Sequence, residues 1–89
     1  MKVRVKLKIT TTATGTLTAI RIEGELLREG VSELDTACGS VDGPIGLDLS
    51  DLTTADAEGV RALSNLLASG ARLLAASPYI QILLKSEET

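Results

Sequence analysis

Leu47-Asp48-Leu49-Ser50-Asp51-Leu52-Thr53-Thr54-Ala55-Asp56-Ala57-Glu58-Gly59-Val60-Arg61-Ala62-Leu63 is the stretch on which the fold turns. Its first part, with Ile45 before it, alternates Ile45, Leu47 and Leu49 with Gly46 and Asp48. Period-two alternation predicts a short buried strand over residues 45–50. An acidic, Thr-containing loop follows. Val60, Leu63, Leu66 and Leu67 then recur at helical spacing, with Arg61, Ser64 and Asn65 off that stripe. This predicts a helix over 56–69. Asp56 stands at its N-cap, where backbone N–H groups lack partners, and Gly70 stands just past its end.

The same two periods order the rest of the chain. Leu27, Val31, Leu34, Cys38 and Val41 form one helical stripe, with Arg28, Glu29, Ser32, Glu33 and Asp35 outside it. The predicted helix spans 28–39, weakened in its first turn by Gly30. Asp42-Gly43-Pro44 breaks the chain before the strand at 45. Residues 3–11 and 16–23 read as two strands, joined by a turn at Thr12-Ala13-Thr14-Gly15 into an antiparallel hairpin. In the second, Leu17/Ala19 and Ile20/Ile22 fall in opposite phases, which a bulge accommodates. Gly24 is expected to end that strand. Downstream, residues 72–76 form a last strand. Ser77-Pro78 caps and opens a helix to about residue 85, and 86–89 is a polar tail.

The order β-β-α-β-α-β-α, with no repeat or linker, makes residues 1–89 one expected domain. Right-handed crossovers place helices on one face of a single mixed sheet of about four strands, an α/β fold. Leu34, Leu47, Leu49, Leu63, Leu67 and Leu73 are expected to be buried together.

Composition narrows the function. Aromatic residues reduce to Tyr79, so the core is built from Leu, Ile, Val and Ala, and nothing stacks on bases. There is no His and a single Cys38, which excludes a Cys/His zinc site and an internal disulfide. Cys38 lies on a core stripe and is read as a small apolar residue. No apolar run approaches the roughly 18 residues of a membrane span. Thr10 to Thr12 interrupt any signal-like segment after Met1-Lys2-Val3-Arg4, so a cytoplasmic location is expected. Net charge is −3 but polarised: residues 1–24 carry five basic groups and one acid, residues 25–89 four basic groups and eleven acids. Lys2, Arg4, Lys6 and Lys8 alternate with Val3, Val5, Leu7 and Ile9, giving one strand a cationic face. Such lysines discourage edge pairing. With an acidic remainder, they do not argue for nucleic acid.

The motif order resembles the STAS domain of bacterial anti-sigma-factor antagonists. The residues that carry the likeness are Gly24-Glu25-Leu26 before the first helix, Leu47 to Leu63, Gly70-Ala71-Arg72-Leu73-Leu74, and Ser77-Pro78. In that family a strand ending in Leu-Asp-Leu-Ser leads to an Asp-Ser-Ser-Gly turn. A partner kinase phosphorylates the second serine of the turn. Here the turn is Asp56-Ala57-Glu58-Gly59, so a carboxylate stands where the resemblance implies an acceptor hydroxyl. A phosphoserine carries about −1.5 to −2 charges and three acceptor oxygens, and glutamate imitates part of that permanently.

The resemblance implies a non-enzymatic regulatory module whose partner is a protein, for instance an anti-sigma factor kinase. The expected contact residues are Thr53, Thr54, Asp56, Ala57, Glu58, Gly59, Arg61, Ser64 and Asn65. Thr53 and Thr54 are also the hydroxyls nearest the turn, suited to local backbone bonding or to phosphorylation. The residues themselves also permit a plainer role, in which Asp56 caps the helix and Glu58 complements its dipole. Rival functions are a small subunit docked on an ABC transporter ATPase, and a small-ligand or nucleotide-binding domain. A catalytic role has little support. Asp56 and Glu58 at i, i+2 point to different faces of a helix, and no Gly-rich phosphate loop is present. No cofactor is expected. The acidic residues Asp48, Asp51, Asp56 and Glu58 lack calcium-loop spacing, so no metal is expected either.

Overall fold

The computed structural model describes residues 7–88. Strands β1 (Leu7–Thr14) and β2 (Leu17–Leu26) pair antiparallel, and Thr14 opposite Leu17 leaves Gly15-Thr16 as the hairpin loop. Gly15 takes φ +61°, and among the described residues positive φ is confined to glycines. That is the glycine a two-residue primed turn requires. The turn thus falls later than the 12–15 reading, because the threonines continue the ladder. Residues 3–6 of the expected first strand, with the cationic side chains of Lys2, Arg4 and Lys6, lie outside the described residues.

The second strand does not end at Gly24. It runs on to Leu26, because the segment read as an acidic loop supplies it with a partner. β3 (Ile45–Leu49) pairs parallel with the first half of β2, from Thr18 opposite Ile45 to Arg21 opposite Asp48. β4 (Leu52–Ala55) continues along the same edge, with Gly24 opposite Leu52 and Leu26 opposite Ala55. The register shifts between Gly24 and Glu25, where Thr53 is bulged. Gly24 absorbs the irregularity with φ +92°. β5 (Arg72–Ala76) pairs parallel with the other side of β3 and ends the sheet. The sheet is mixed and five-stranded, in the order β1-β2-β3-β5 with β4 beside β2.

The expected helix over 28–39 divides into a 3₁₀ turn at Arg28–Gly30 and α1 (Val31–Gly39). Gly30 marks the joint. A Cβ there would lie 2.4 Å from Leu7 Cδ2, so the missing side chain lets the turn rest on β1. α2 (Ala57–Ala68) is capped at both ends as the sequence predicted. At its C-terminus Gly70, with φ +115°, donates to Leu67 O, and Ala71 donates to Leu66 O. Those two bonds define a Schellman motif. α3 (Pro78–Glu88) starts with the Ser77 hydroxyl accepting from Ile80 N at 3.3 Å, and it runs past residue 85 into the segment read as a tail.

α2 packs against both α1 and α3, so the helices share one face of the sheet. Between the layers, Ile20, Ile22, Leu26, Leu47, Leu49 and Leu52 meet Leu34, Val60, Leu63, Ile80 and Leu84. Leu34, Leu47, Leu49 and Leu63 are fully buried, and half-buried Leu67 packs on the cluster. Leu73 is the correction: it is 40 % exposed. It aligns with Leu47, but β5 is an edge strand, and only one side of it has a neighbour.

Candidate functional site

The start of α2 is fastened to β2 and to the 3₁₀ turn. Asp56 does the fastening, with extended backbone at φ −84°, ψ −176° and both carboxylate oxygens in use. Oδ1 accepts from Gly59 N at 2.8 Å, which caps the helix. Oδ2 accepts from Arg28 N at 2.8 Å, 28 residues away in sequence. Its own N–H donates to Leu26 O at 3.2 Å. These bonds favour the ionised carboxylate, so the Asp56 pKa is held below the ordinary aspartate value. The Gly59 N–H is the largest cause and the Arg28 N–H the next.

Gly59 is buried, and a Cβ on it would come within 2.2 Å of Leu26 O. The close approach of helix to strand is therefore available to glycine alone at that position. Among the expected contact residues, Gly59 serves packing and presents no side chain. Thr53 is exposed in β4, and its hydroxyl donates to Gly24 O at 2.8 Å, which ties the bulge across the two strands. Thr54 is half-buried opposite Glu25.

Ala57 and Glu58 are the exposed residues of the first helical turn. The Glu58 side chain is 51 % exposed and lies 3.6 Å from Arg61 Nη1, one helical turn on. Glu58, Arg61 and Asn65 share one face of α2 with Ala62, Leu66 and Ser69. Across from them stand Val31 and Asp35 of α1. The two helices enclose an open groove of about 220 Å³. A second depression, lined by Arg28, Glu29, Asp56, Ala57 and Glu58, adjoins it and shares Glu58. The structure thus brings Asp56, Ala57, Glu58, Arg61 and Asn65 together along one surface. Half-buried Ser64 and the two threonines lie outside it.

Sequence reading did not select Val31, Asp35 or Leu66 as site residues. Val31 and Leu66 sit on apolar stripes that mark core positions, and Asp35 is one of several acids outside the α1 stripe. Nothing local distinguishes a groove wall from a core face. That distinction depends on how closely α1 approaches α2.

The opposite face of the sheet carries a separate polar cluster. Arg21 pairs with Asp51, with Glu23 at 3.3 Å and with Asp48 at 3.6 Å. Asp48 also accepts from the Ser50 hydroxyl at 2.7 Å and from Ser50 N at 3.1 Å. The Ser50 hydroxyl, then its N–H, hold the Asp48 pKa down. This cluster secures the turn between β3 and β4. Cys38 is half-buried, and burial, with nearby Asp35 secondary, raises its thiol pKa away from reactivity. Among the described residues no group of His, Cys, Asp and Glu is arranged to hold a metal ion, and no helix is long and apolar enough to cross a membrane.

The solved structure of the anti-sigma factor antagonist SpoIIAA in its unphosphorylated form superposes on this arrangement with a TM-score of 0.68. The match covers 91 % of this chain and 81 % of that one, at 17 % sequence identity. The chain has the STAS fold. At that identity the likeness is one of fold. No protein-family model matches the sequence, and no curated protein matches it. The STAS fold accounts for the five-stranded mixed sheet with its three helices, and it agrees with the architecture expected from the alternation of periods.

Proposed function

We propose that the chain is a non-enzymatic regulatory module that binds a protein partner through the first turn and outer face of α2. The observation that carries this reading is the placement of Glu58. It is exposed on a turn whose backbone is held rigid on either side, by Asp56 and by Gly59. A rigid frame with a solvent-facing carboxylate suits recognition, where pre-organisation limits the entropy lost on binding. The STAS fold, shared with an anti-sigma factor antagonist, makes a partner of the anti-sigma factor kinase kind the leading candidate. In that setting Glu58 is a standing imitation of the phosphorylated residue, and the protein rests near its partner-released state. A cytoplasmic location fits such a role.

The test is capture from source lysate on immobilised wild type and on an Arg61→Glu/Asn65→Arg variant, read by mass spectrometry. A protein held by the wild type and lost by the variant supports the assignment of the α2 face. Proteins held equally by both overturn it.

A further inference from the structure

The groove between α1 and α2 combines apolar side chains with a rim of two carboxylates, one guanidinium and the polar Asn65 and Ser69. Val31, Ala62 and Leu66 are each half-buried and form the floor. Asp35 stands on the α1 side and Glu58 on the α2 side. Arg61 is drawn to Glu58, and the Asp35 carboxylate has no hydrogen bond or ion pair among the described residues. In the adjoining depression Glu29 adds another carboxylate beside Arg28. The volume of about 220 Å³ has room for one or two apolar side chains. Its open shape leaves room for the main chain that would carry those side chains.

We infer that this groove receives a cationic amphipathic segment of a partner protein. Apolar side chains of the segment lie on Val31 and Leu66, and a lysine or arginine meets Asp35. This deepens the proposed function and rests on it, since it assigns a partner chemistry to the same face and extends the face onto α1. The recognition mode is a helix laid in a groove, with residues one turn apart as anchors. The charge on Asp35 selects the partner's sign and speeds encounter, while the apolar floor contributes area removed from water. The whole chain, with a net charge of −3, has the same preference at long range.

The probe is a helical Leu/Lys peptide of about 18 residues, with a Leu/Glu peptide of equal length as its counterpart. Each is titrated into the isotope-labelled full chain and followed by amide chemical shifts. The Leu/Lys peptide should shift Val31, Asp35, Ala62, Asn65 and Leu66, and the Leu/Glu peptide should not bind. Asp35→Lys should weaken the Leu/Lys peptide by about fivefold or more, since an attraction becomes a repulsion. Glu33→Lys changes net charge equally, on an exposed α1 residue outside the groove lining. It should weaken binding by less than about twofold. Equal losses from the two variants would mean diffuse charge attraction and overturn the assignment. Shifts centred on another surface would overturn it too. A dimer of the chain that dissociates in Asp35→Lys would make a second copy the occupant, and the partner assignment would fall.

The lysate partner separates this inference from the reading beneath it. A partner lost by Arg61→Glu/Asn65→Arg but kept by Asp35→Lys leaves the α2 face standing and removes the groove. A partner indifferent to the α2 variant removes the function, even if the peptide binds.

Discussion

The β4–α2 junction and the β5–α3 unit are built from similar material and end in opposite conditions. Each is a short strand followed by a helix with a polar N-cap, Asp56 in one case and Ser77 in the other. At β4–α2 the helix sits so close to β2 that Gly59 touches backbone, and both oxygens of Asp56 are bonded. At β5–α3, Leu73, Leu74, Tyr79 and Ile82 are 40 %, 46 %, 51 % and 61 % exposed. The difference lies in position. α2 lies between α1 and α3, whereas β5 closes the edge of the sheet. Periodicity states which residues share a face. Whether the face is covered depends on what lies beyond it.

Leucines in the two regions offer the strongest contrast. Leu63→Ala removes a fully buried side chain from between the layers and should cost about 2–5 kcal/mol. Leu73→Ala should cost about 1 kcal/mol or less, because much of its surface already meets water. Urea denaturation of both variants reads the comparison directly. Equal shifts in midpoint would break it.

Two glycines sharpen the same contrast at smaller scale. Gly59→Ala drives a Cβ against Leu26 O, part of a strand held on both sides, and should cost roughly 1–3 kcal/mol despite alanine's better helix propensity. Gly46→Ala meets side chains instead, with Leu74 Cδ1 at 2.7 Å and Leu17 Cδ2 at 2.9 Å. Leu74 is exposed on the edge strand and has solvent to turn into. Its movement should hold the loss below about 1 kcal/mol. Thermal denaturation of the pair separates a rigid neighbour from a yielding one.

Acid titration isolates the tie made by Asp56. Its pKa in the fold lies below the ordinary aspartate value, so the unfolded chain takes up its proton first as pH falls. The stabilisation is therefore complete above about pH 4 and is lost as pH drops through the folded pKa. Asp48, shifted in the same direction by Ser50, adds to the same acid-side loss. Asp56→Asn keeps an acceptor for Gly59 N but offers an N–H₂ group to Arg28 N, and it does not titrate. Wild type should be the more stable near neutral pH, and the two urea midpoints should converge on acidification. A constant gap from about pH 2 to 7 would show that the Asp56 charge contributes nothing.

Much of the fold was legible because its signals are local. The 3.6-residue stripe of Val60, Leu63 and Leu67 is one such signal, as are the Asp56 cap, Gly70 and Ser77-Pro78. β4 was not legible. Leu52-Thr53-Thr54-Ala55 is short, polar and flanked by acids, and it becomes a strand only because Glu25 and Leu26 lie alongside it. Gly24 resembled a strand end for the same reason: its φ of +92° accommodates a bulge that only the partner strand creates. At the site, residue types gave the cap and the exposed carboxylate. The Asp56–Arg28 bond and the contact of Gly59 with Leu26 span long stretches of chain, and local spacing does not encode them.

A small expected effect on stability accompanies the largest expected effect on function. Within the locked first turn of α2, Ala57 and Glu58 are the exposed positions, so chemistry there can change while the frame holds. Ala57→Ser/Glu58→Ser gives the turn the Asp-Ser-Ser-Gly sequence of the antagonist family. It removes one favourable charge from a helix N-terminus and the exposed contact with Arg61, both minor in water. Stability should change by about 1 kcal/mol or less. If the Glu58 charge holds the partner off as a phosphate would, calorimetry should show tighter binding of the captured partner to the double variant. The serine hydroxyl introduced at position 58 should also accept phosphate from a cognate kinase. Phosphorylation should then return affinity toward the wild-type value, since about −1.5 to −2 charges replace the lost one. Equal affinities for wild type and double variant would reduce Glu58 to a residue that complements the helix dipole. The packing at Asp56 and Gly59 would be untouched by that result, because it depends on Leu26 and Arg28 rather than on the exposed residues between them.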